Sequence, residues 1–266
     1  MIFMLKAQLK NILKFFGFEL RKIHPEGNKT NIFARRANMY EVLEHICNLG
    51  LKPQTIIDVG VANGTFELYE NFPDAFHLLV EPLVEYEAAL QDICIKYKAE
   101  YVISAATNHS GTITINIHPD QVGSSILKET EGVHADGIPR QVATVTLDEL
   151  CEKRNLLPPY AIKIDVQGAE LIVLDGAKNL LRDTEVIILE VSLFKFHIDA
   201  PEFYDVVSYM KDRRFVVYDI FGGHNRPIDG ALAQVDMVFV KEDGLFRKTH
   251  NWANPEQRQM WSMKNS

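Results

Sequence analysis

Residues 162 to 177 read IKIDVQGAELIVLDGA, a strand-like apolar run that ends in Asp165, turns at Gly168 and meets a second carboxylate at Glu170 before apolar residues resume at helical spacing. Burying an unpaired carboxylate costs several kcal/mol, on the order of the effective penalty for an ion in a protein interior. Two acids around a turn at the mouth of a buried strand are therefore expected to face something other than the core. Acids so placed can orient a hydroxyl or accept its proton. Asp165 is the first candidate for that work and Glu170 the second. The structural alternatives are a helix cap for Asp165 and a position favoured by the helix dipole for Glu170. His197, with Asp199, follows another strand in VSLFKFHIDAP and is a third candidate base; Lys163 either pairs with an acid or lines the cleft.

A second stretch, DVGVANGTF at 58 to 66, joins a short apolar run to the start of a helix. Glycines there let the backbone approach a ligand, and the helix start offers free N–H groups. The dinucleotide pattern G-x-G-x-x-G is not met, because Ala62 and Thr65 stand where its later glycines belong. An acid two residues before Gly60 suits a cationic group, such as the amino group of S-adenosylmethionine, better than a pyrophosphate, which Asp58 would repel. Glu81, ending the strand AFHLLVE, can accept both ribose hydroxyls. Asp58, Gly60, Ala62, Gly64 and Glu81 are thus the candidate cofactor residues, joined by Ser104 and Ala105 at the end of YVISAA and by Asp165 itself. A side chain at Gly60 is expected to occupy ligand space while leaving the fold largely intact.

These turns need a scaffold that holds strand ends side by side. TIIDVG, AFHLLVE, YVISAA, YAIKIDV, EVIILEVS, RFVVYDI and ALAQVDMVFVK read as strands, most of them separated by segments of helical spacing. That alternation argues for a mostly parallel, doubly wound sheet of about seven strands. The last two strands, with no helix between them, read as an antiparallel pair closing its edge. GTITINIH and RQVATV alternate differently and mark an insertion at about 107–140, a candidate lid that carries or adjoins His109, His118 and His134. The resulting division is an N-terminal helical extension at 1–50, a main domain at 51–245 and a tail at 246–266.

The chain has 266 residues, net charge -8, 47% hydrophobic and 24% charged residues, so it has material for a large core and no basic field to hold nucleic acid. Three scattered cysteines, Cys47, Cys94 and Cys151, suggest no disulfide framework and fit a reducing, cytoplasmic setting. No HExxH or similar ligand spacing calls for a metal. The first 22 residues, MIFMLKAQLKNILKFFGFELRK, form an amphipathic helical pattern interrupted by lysines. Its apolar face is expected to pack on the same domain or in a homodimer, in preference to an anionic membrane surface. No run approaches the ~20 apolar residues of a membrane span.

DVGVANGTF, LLVEP, VTLDEL and above all KIDVQGAELIVLDGA resemble the FkbM-type methyltransferases, over roughly residues 55–240. The resemblance implies a Rossmann-like class I methyltransferase fold, S-adenosylmethionine as methyl donor, and a small-molecule or glycan hydroxyl of a sugar or secondary metabolite as acceptor. It implies that Asp58, Gly60 and Gly64 form the cofactor loop, that Glu81 holds the ribose, and that Asp165, Gly168 and Glu170 form the hallmark turn. Val61 and Ala62 stand where the family commonly has Ala and Asn, and Gln167 where Glu is frequent. The readings set against this one are a nicotinamide-dependent oxidoreductase, weakened by the missing glycines, and a non-catalytic nucleoside-binding protein of the same fold.

Overall fold

The computed structural model describes residues 35–132 and 134–265. The amphipathic segment at 1–22 lies outside them. Residues from Arg36 onward form one unit. In chain order its elements are α1 (Met39–Asn48), β1 (Thr55–Val59), α2 (Phe66–Asn71), β2 (Phe76–Glu81), α3 (Glu87–Lys96), β3 (Ala99–Ile103), β4 (Ala105–Ala106), β5 (Gly111–Ile117), β6 (Ile138–Val145), α4 (Leu147–Arg154), β7 (Tyr160–Ile164), α5 (Glu170–Asp175), β8 (Thr184–Ser192), α6 (Phe203–Asp212), β9 (Phe215–Asn225), β10 (Leu232–Lys241) and α7 (Pro255–Asn265).

Seven strands form the main sheet in the order β3-β2-β1-β7-β8-β10-β9. β1 pairs in parallel with both β2 and β7, and β7 with β8. β10 runs antiparallel between β8 and β9, so the reversed strand is second from the edge and β9 closes the sheet. Chain order turns back at the boundary between β1 and β7, which is where an open α/β sheet leaves a crevice beyond its strand ends. The sequence reading of an α/β Rossmann-like sheet with an antiparallel closing pair holds.

Alternation along the buried strands divides the core into two layers. Ile57, Val59, Leu78, Val80, Ile162 and Ile164 face the side packed by α4, α5 and α6. Ile56, Leu79, Ala161 and Ile188 face the side packed by α1, α2 and α3. α1 starts at an Asn38 cap whose Oδ1 accepts the Glu41 N–H at 3.0 Å. It buries Val42, Leu43 and Ile46, each contributing about 1.5–3 kcal/mol by removal from water. This helix, which the sequence assigns to an N-terminal extension, is thus part of the sheet's own covering layer.

Two further elements differ from expectation. YVISAA is two strands, because Ser104 is the crossover between sheets: its N–H still donates to the Glu81 carbonyl of β2 at 3.0 Å, while its Oγ donates to the Ala143 carbonyl of β6 at 2.9 Å. β4 then joins a small sheet, ordered β4-β6-β5, built from the antiparallel insertion. The helical spacing that resumes after Glu170 ends at Asp175, where the backbone of Gly176 presses on Thr107 and an added Cβ would lie 2.1 Å from the carbonyl oxygen. Among the described residues no helix is long and apolar enough to cross a membrane.

Candidate active site

A cavity of about 540 Å³ opens above the carboxyl ends of the parallel strands, within the range of small-molecule sites. Gly60, Ala62, Gly64, Glu81, Ala105 and Asp165 line it, so six of the sequence-predicted residues converge there. Asp58, Ser104, Glu170 and His197 are not on its wall.

The first loop is held by its own chain. Gly60 adopts φ +76°, and an added Cβ would meet the Asp165 carbonyl oxygen at 1.8 Å. Gly60 therefore lets two strand-end turns pass in contact; the expectation that a side chain there would only fill ligand space is corrected. Ala62 is also left-handed, at φ 47°, a conformation that needs outside support in a non-glycine residue. Glu81 supplies it: one carboxylate oxygen accepts the Ala62 N–H at 2.9 Å and the other the Leu83 N–H at 2.9 Å. Each oxygen keeps further acceptor capacity, and Glu81 lines the cavity.

Asp58 lies beneath the loop, fully buried. The Tyr69 hydroxyl donates to its Oδ2 at 2.6 Å and accepts the Thr65 N–H at 3.1 Å, tying strand, loop and helix together. Lys163 Nζ stands 4.0 Å from Asp58 Oδ1 and 3.2 Å from Asp165 Oδ2. Burial alone would discharge this lysine, but Asp165 and Asp58 outweigh it and hold its pKa above the ordinary lysine value. Direct contact between Asp58 and a ligand amine, the role its place in the sequence suggests, gives way to that of a charge under the loop that anchors Lys163.

The hallmark turn divides its labour. Glu170 is buried, and its Oε1 accepts the Val166 N–H at 3.2 Å and the Gly168 N–H at 3.0 Å. It closes the turn from behind, and burial pushes it up to about 7. Asp165 faces the cavity, with Oδ2 on Lys163 and Oδ1 accepting from Gln167 Nε2 at 2.9 Å. The same Gln167 nitrogen donates to Glu190 at 2.8 Å. His197 sits across Gly168 from this face, its Nε2 3.3 Å from Glu129 and its pKa lowered by burial. Ser104 is used in the strand crossover described above.

Two acids that the sequence reading passed over complete the wall. Glu190 on β8 and Asp236 on β10 are register partners and both line the cavity. Like charges directly opposite repel, and burial adds to this. Glu190 is pushed up to about 8, by burial first and then by Asp165, Glu170 and Asp236. Asp236 is pushed up to about 6, by burial and then Asp165. Gln234 Nε2 also donates to Glu190 at 2.9 Å. The available signal was the one that exposed Asp165, an acid set among apolar strand residues: Glu190 sits between Leu189 and Val191 in EVIILEVS, and Asp236 between Val235 and Met237 in ALAQVDMVFVK. Among the described residues, no group of three His, Cys, Asp or Glu side chains is arranged to hold a metal ion.

The insertion roofs the cavity with Gln121, Val122, Ser124, Ser125 and Ile126. Ser125 Oγ donates to the Gln167 carbonyl at 2.8 Å, fastening the roof to the hallmark turn.

Residues 37–217 match the methyltransferase FkbM domain, a span that takes in both strand-end turns, the insertion and β8. The chain belongs to this family. The match takes in the turn from Asp165 to Glu170, whose Asp165 stands on the cavity wall. Among curated proteins it is similar to the hexuronic acid methyltransferase AglP of Haloferax volcanii, 31% identical over 85 residues, which is 32% of this chain and 33% of that protein. The match thus spans about a third of that relative's length. Among solved structures, the precorrin-6y C5,15-methyltransferase from Geobacter metallireducens GS-15 has TM-score 0.41 at 12% identity, covering 78% of this chain and 92% of that one. The magnesium protoporphyrin IX methyltransferase (ChlM) from Synechocystis PCC 6803 with bound SAM has TM-score 0.43 at 10% identity, covering 76% of each chain.

Proposed function

We propose that this methyltransferase uses S-adenosylmethionine to methylate a hydroxyl of a sugar or a related secondary metabolite. The observation that carries the donor is the charge of the cavity wall: the carboxylates Glu81, Asp165 and Asp236, with the carboxyl group of Glu190, against the single ammonium of Lys163. A sulfonium and an ammonium suit that wall. A pyrophosphate would meet like charge at close range, which disfavours the nicotinamide alternative. Glu81, with its spare lone pairs, accepts the ribose hydroxyls. The donor, when bound, supplies an electrophilic methyl group.

The remaining chemistry belongs to the chain. The acceptor hydroxyl must lie in line with the methyl group and lose its proton as it attacks. Asp165, fixed by Lys163 and Gln167, orients the hydroxyl. Asp236, raised to about 6, is ionised at neutral pH yet more basic than an ordinary aspartate, and takes the proton. Glu190, raised to about 8, stays protonated beside it and keeps that corner from carrying two charges. The roof residues Gln121 to Ile126 select the acceptor. The sugar class rests on the partial similarity to the hexuronic acid methyltransferase.

Calorimetry with S-adenosylmethionine, S-adenosylhomocysteine and NAD tests the donor. Binding of the first two and not the third is expected, and the reverse would overturn the assignment. Mass spectrometry of uronic acid and neutral glycosides incubated with donor and enzyme then tests the acceptor. A gain of one methyl on oxygen is expected, and methylation confined to nitrogen or carbon acceptors would refute the hydroxyl reading.

A further inference from the structure

The opposite end of the sheet holds a second cavity, of about 450 Å³. Its position follows from topology. Arg182 lies in the turn just before β8, Phe215 opens β9 and Lys241 ends β10. β10 runs antiparallel to both neighbours, so these three positions share one end of the sheet. From Thr184 to Glu190, roughly 20 Å of strand separates it from the acidic crevice.

The wall is cationic although the chain carries net charge -8. Lys178, Arg182, Arg213, Arg214 and Lys241 line it against two carboxylates, Glu242 and Asp243. Both acids are already engaged, Glu242 by Lys211 and Asp243 by Arg214. Arg213 pairs with Asp175 at 3.0 Å and stands over the Tyr209 ring, its central carbon 3.3 Å from the centroid. Lys241 Nζ donates to the Arg182 carbonyl. Among the described residues, the side chains of Lys178 and Arg182 make no ion pair or hydrogen bond. A solvated lysine face is ordinarily convex and needs no further account. Here the charges surround a hollow walled by Leu181 and Phe215, both buried, where a low-dielectric wall strengthens the field of the cations.

We infer that this basal cavity binds a phosphate-bearing anion, held by Lys178 and Arg182 with an attached apolar group against Leu181 and Phe215. Several converging cations favour a multiply charged anion over a lone carboxylate, and an arginine fork beside a lysine point charge matches phosphate oxygens. Such a phosphate can come from a soluble metabolite or from a lipid headgroup. The inference is independent of the methyl-transfer reading, because no residue of the crevice takes part.

The experiment has two arms on the full chain at low salt: calorimetric titration with inorganic pyrophosphate, and cosedimentation with vesicles of phosphatidic acid in phosphatidylcholine against phosphatidylcholine alone. Saturable binding is expected in at least one arm. Pyrophosphate binding alone identifies a soluble ligand, and binding to the anionic vesicles alone identifies a headgroup. K178Q/R182Q should weaken that binding on the order of tenfold or more, because it removes two charge-assisted donors to the anion. Its melting temperature should match wild type, since both residues are exposed, and its affinity for S-adenosylmethionine should be unchanged. Lys153→Gln, which removes a charge paired with Glu149 on α4, should bind like wild type. Absence of saturable binding in both arms, or equal binding by K178Q/R182Q and wild type, overturns the inference.

Discussion

At the scale of single residues, the crevice is governed by how many negative charges can share it. Burial, and then their acidic neighbours, push Glu190, Asp236 and Glu170 up to about 8, 6 and 7 in the folded chain, above the ordinary carboxyl range near 4. The folded state therefore holds more protons than the unfolded one through that interval. Their contribution to stability is full below about pH 4 and is lost as pH rises through the folded values. Urea unfolding of wild type and Glu190→Gln across pH 5 to 9 should show the wild type losing stability relative to the variant up to about pH 8; parallel curves would contradict the assigned proton. A cationic donor favours the ionised acids, so its binding should release protons, visible as buffer-dependent heats. Gln167→Glu puts a third carboxylate where an amide now donates to both Asp165 and Glu190. It should cost about 1–3 kcal/mol through the missing donors, measured by chemical denaturation, and should raise the pH at which activity appears. Asp236→Asn should lower kcat about 100-fold, the scale of a removed general base, with donor affinity little changed; an unaltered kcat would move the proton to another group.

At the scale of elements, the site is a contact between turns. The β1 turn and the β7 turn touch through Gly60 and Asp165, and the Asp165 N–H also donates to the Val59 carbonyl at 3.0 Å. Gly60→Ala should destabilise by about 3 kcal/mol or more, since it combines a left-handed backbone with a Cβ driven into a carbonyl. A thermal melt within a degree or two of wild type would show that the two turns can separate at little cost. The fold class and strand sequence were legible because period-two apolar runs and glycine-terminated turns are local signals. Legibility failed where a distant group intervened. Ser104 breaks YVISAA because it bonds to residues on two other strands, and α5 ends at Asp175, where Thr107 crowds Gly176.

At the scale of the whole molecule, α1 decides where the domain begins. Its buried face packs on Tyr69, Leu68 and Phe72, and Ala37, Asn38 and Met39 line the cavity beside Phe221 and Gly222. A chain starting at residue 36 keeps all of α1 and is the reference for this comparison. One starting at residue 51, the boundary read from sequence, should lose on the order of 5 kcal/mol from the missing core side chains Val42, Leu43 and Ile46 and should bind the donor weakly. Circular-dichroism melts and calorimetry compare the two, and equal stability would return the boundary to residue 50. The charge pattern also has a global form, with an acidic crevice at the carboxyl ends of the strands and a basic hollow at the other end.

The amino-acid sequence by itself determined the alternating architecture, the two glycine-bearing turns and the presence of acids at strand ends, because each depends on residues near one another in the chain. Tertiary structure alone decided which acids meet. Asp58 went under the loop, Glu170 behind its turn and His197 across Gly168, while Glu190 and Asp236 came to the wall. Strand register brought those last two face to face across 46 residues of chain. Whether a carboxylate serves a ligand or the fold depends on which backbone amides and cations reach it first, and that is settled only when the sheet has closed.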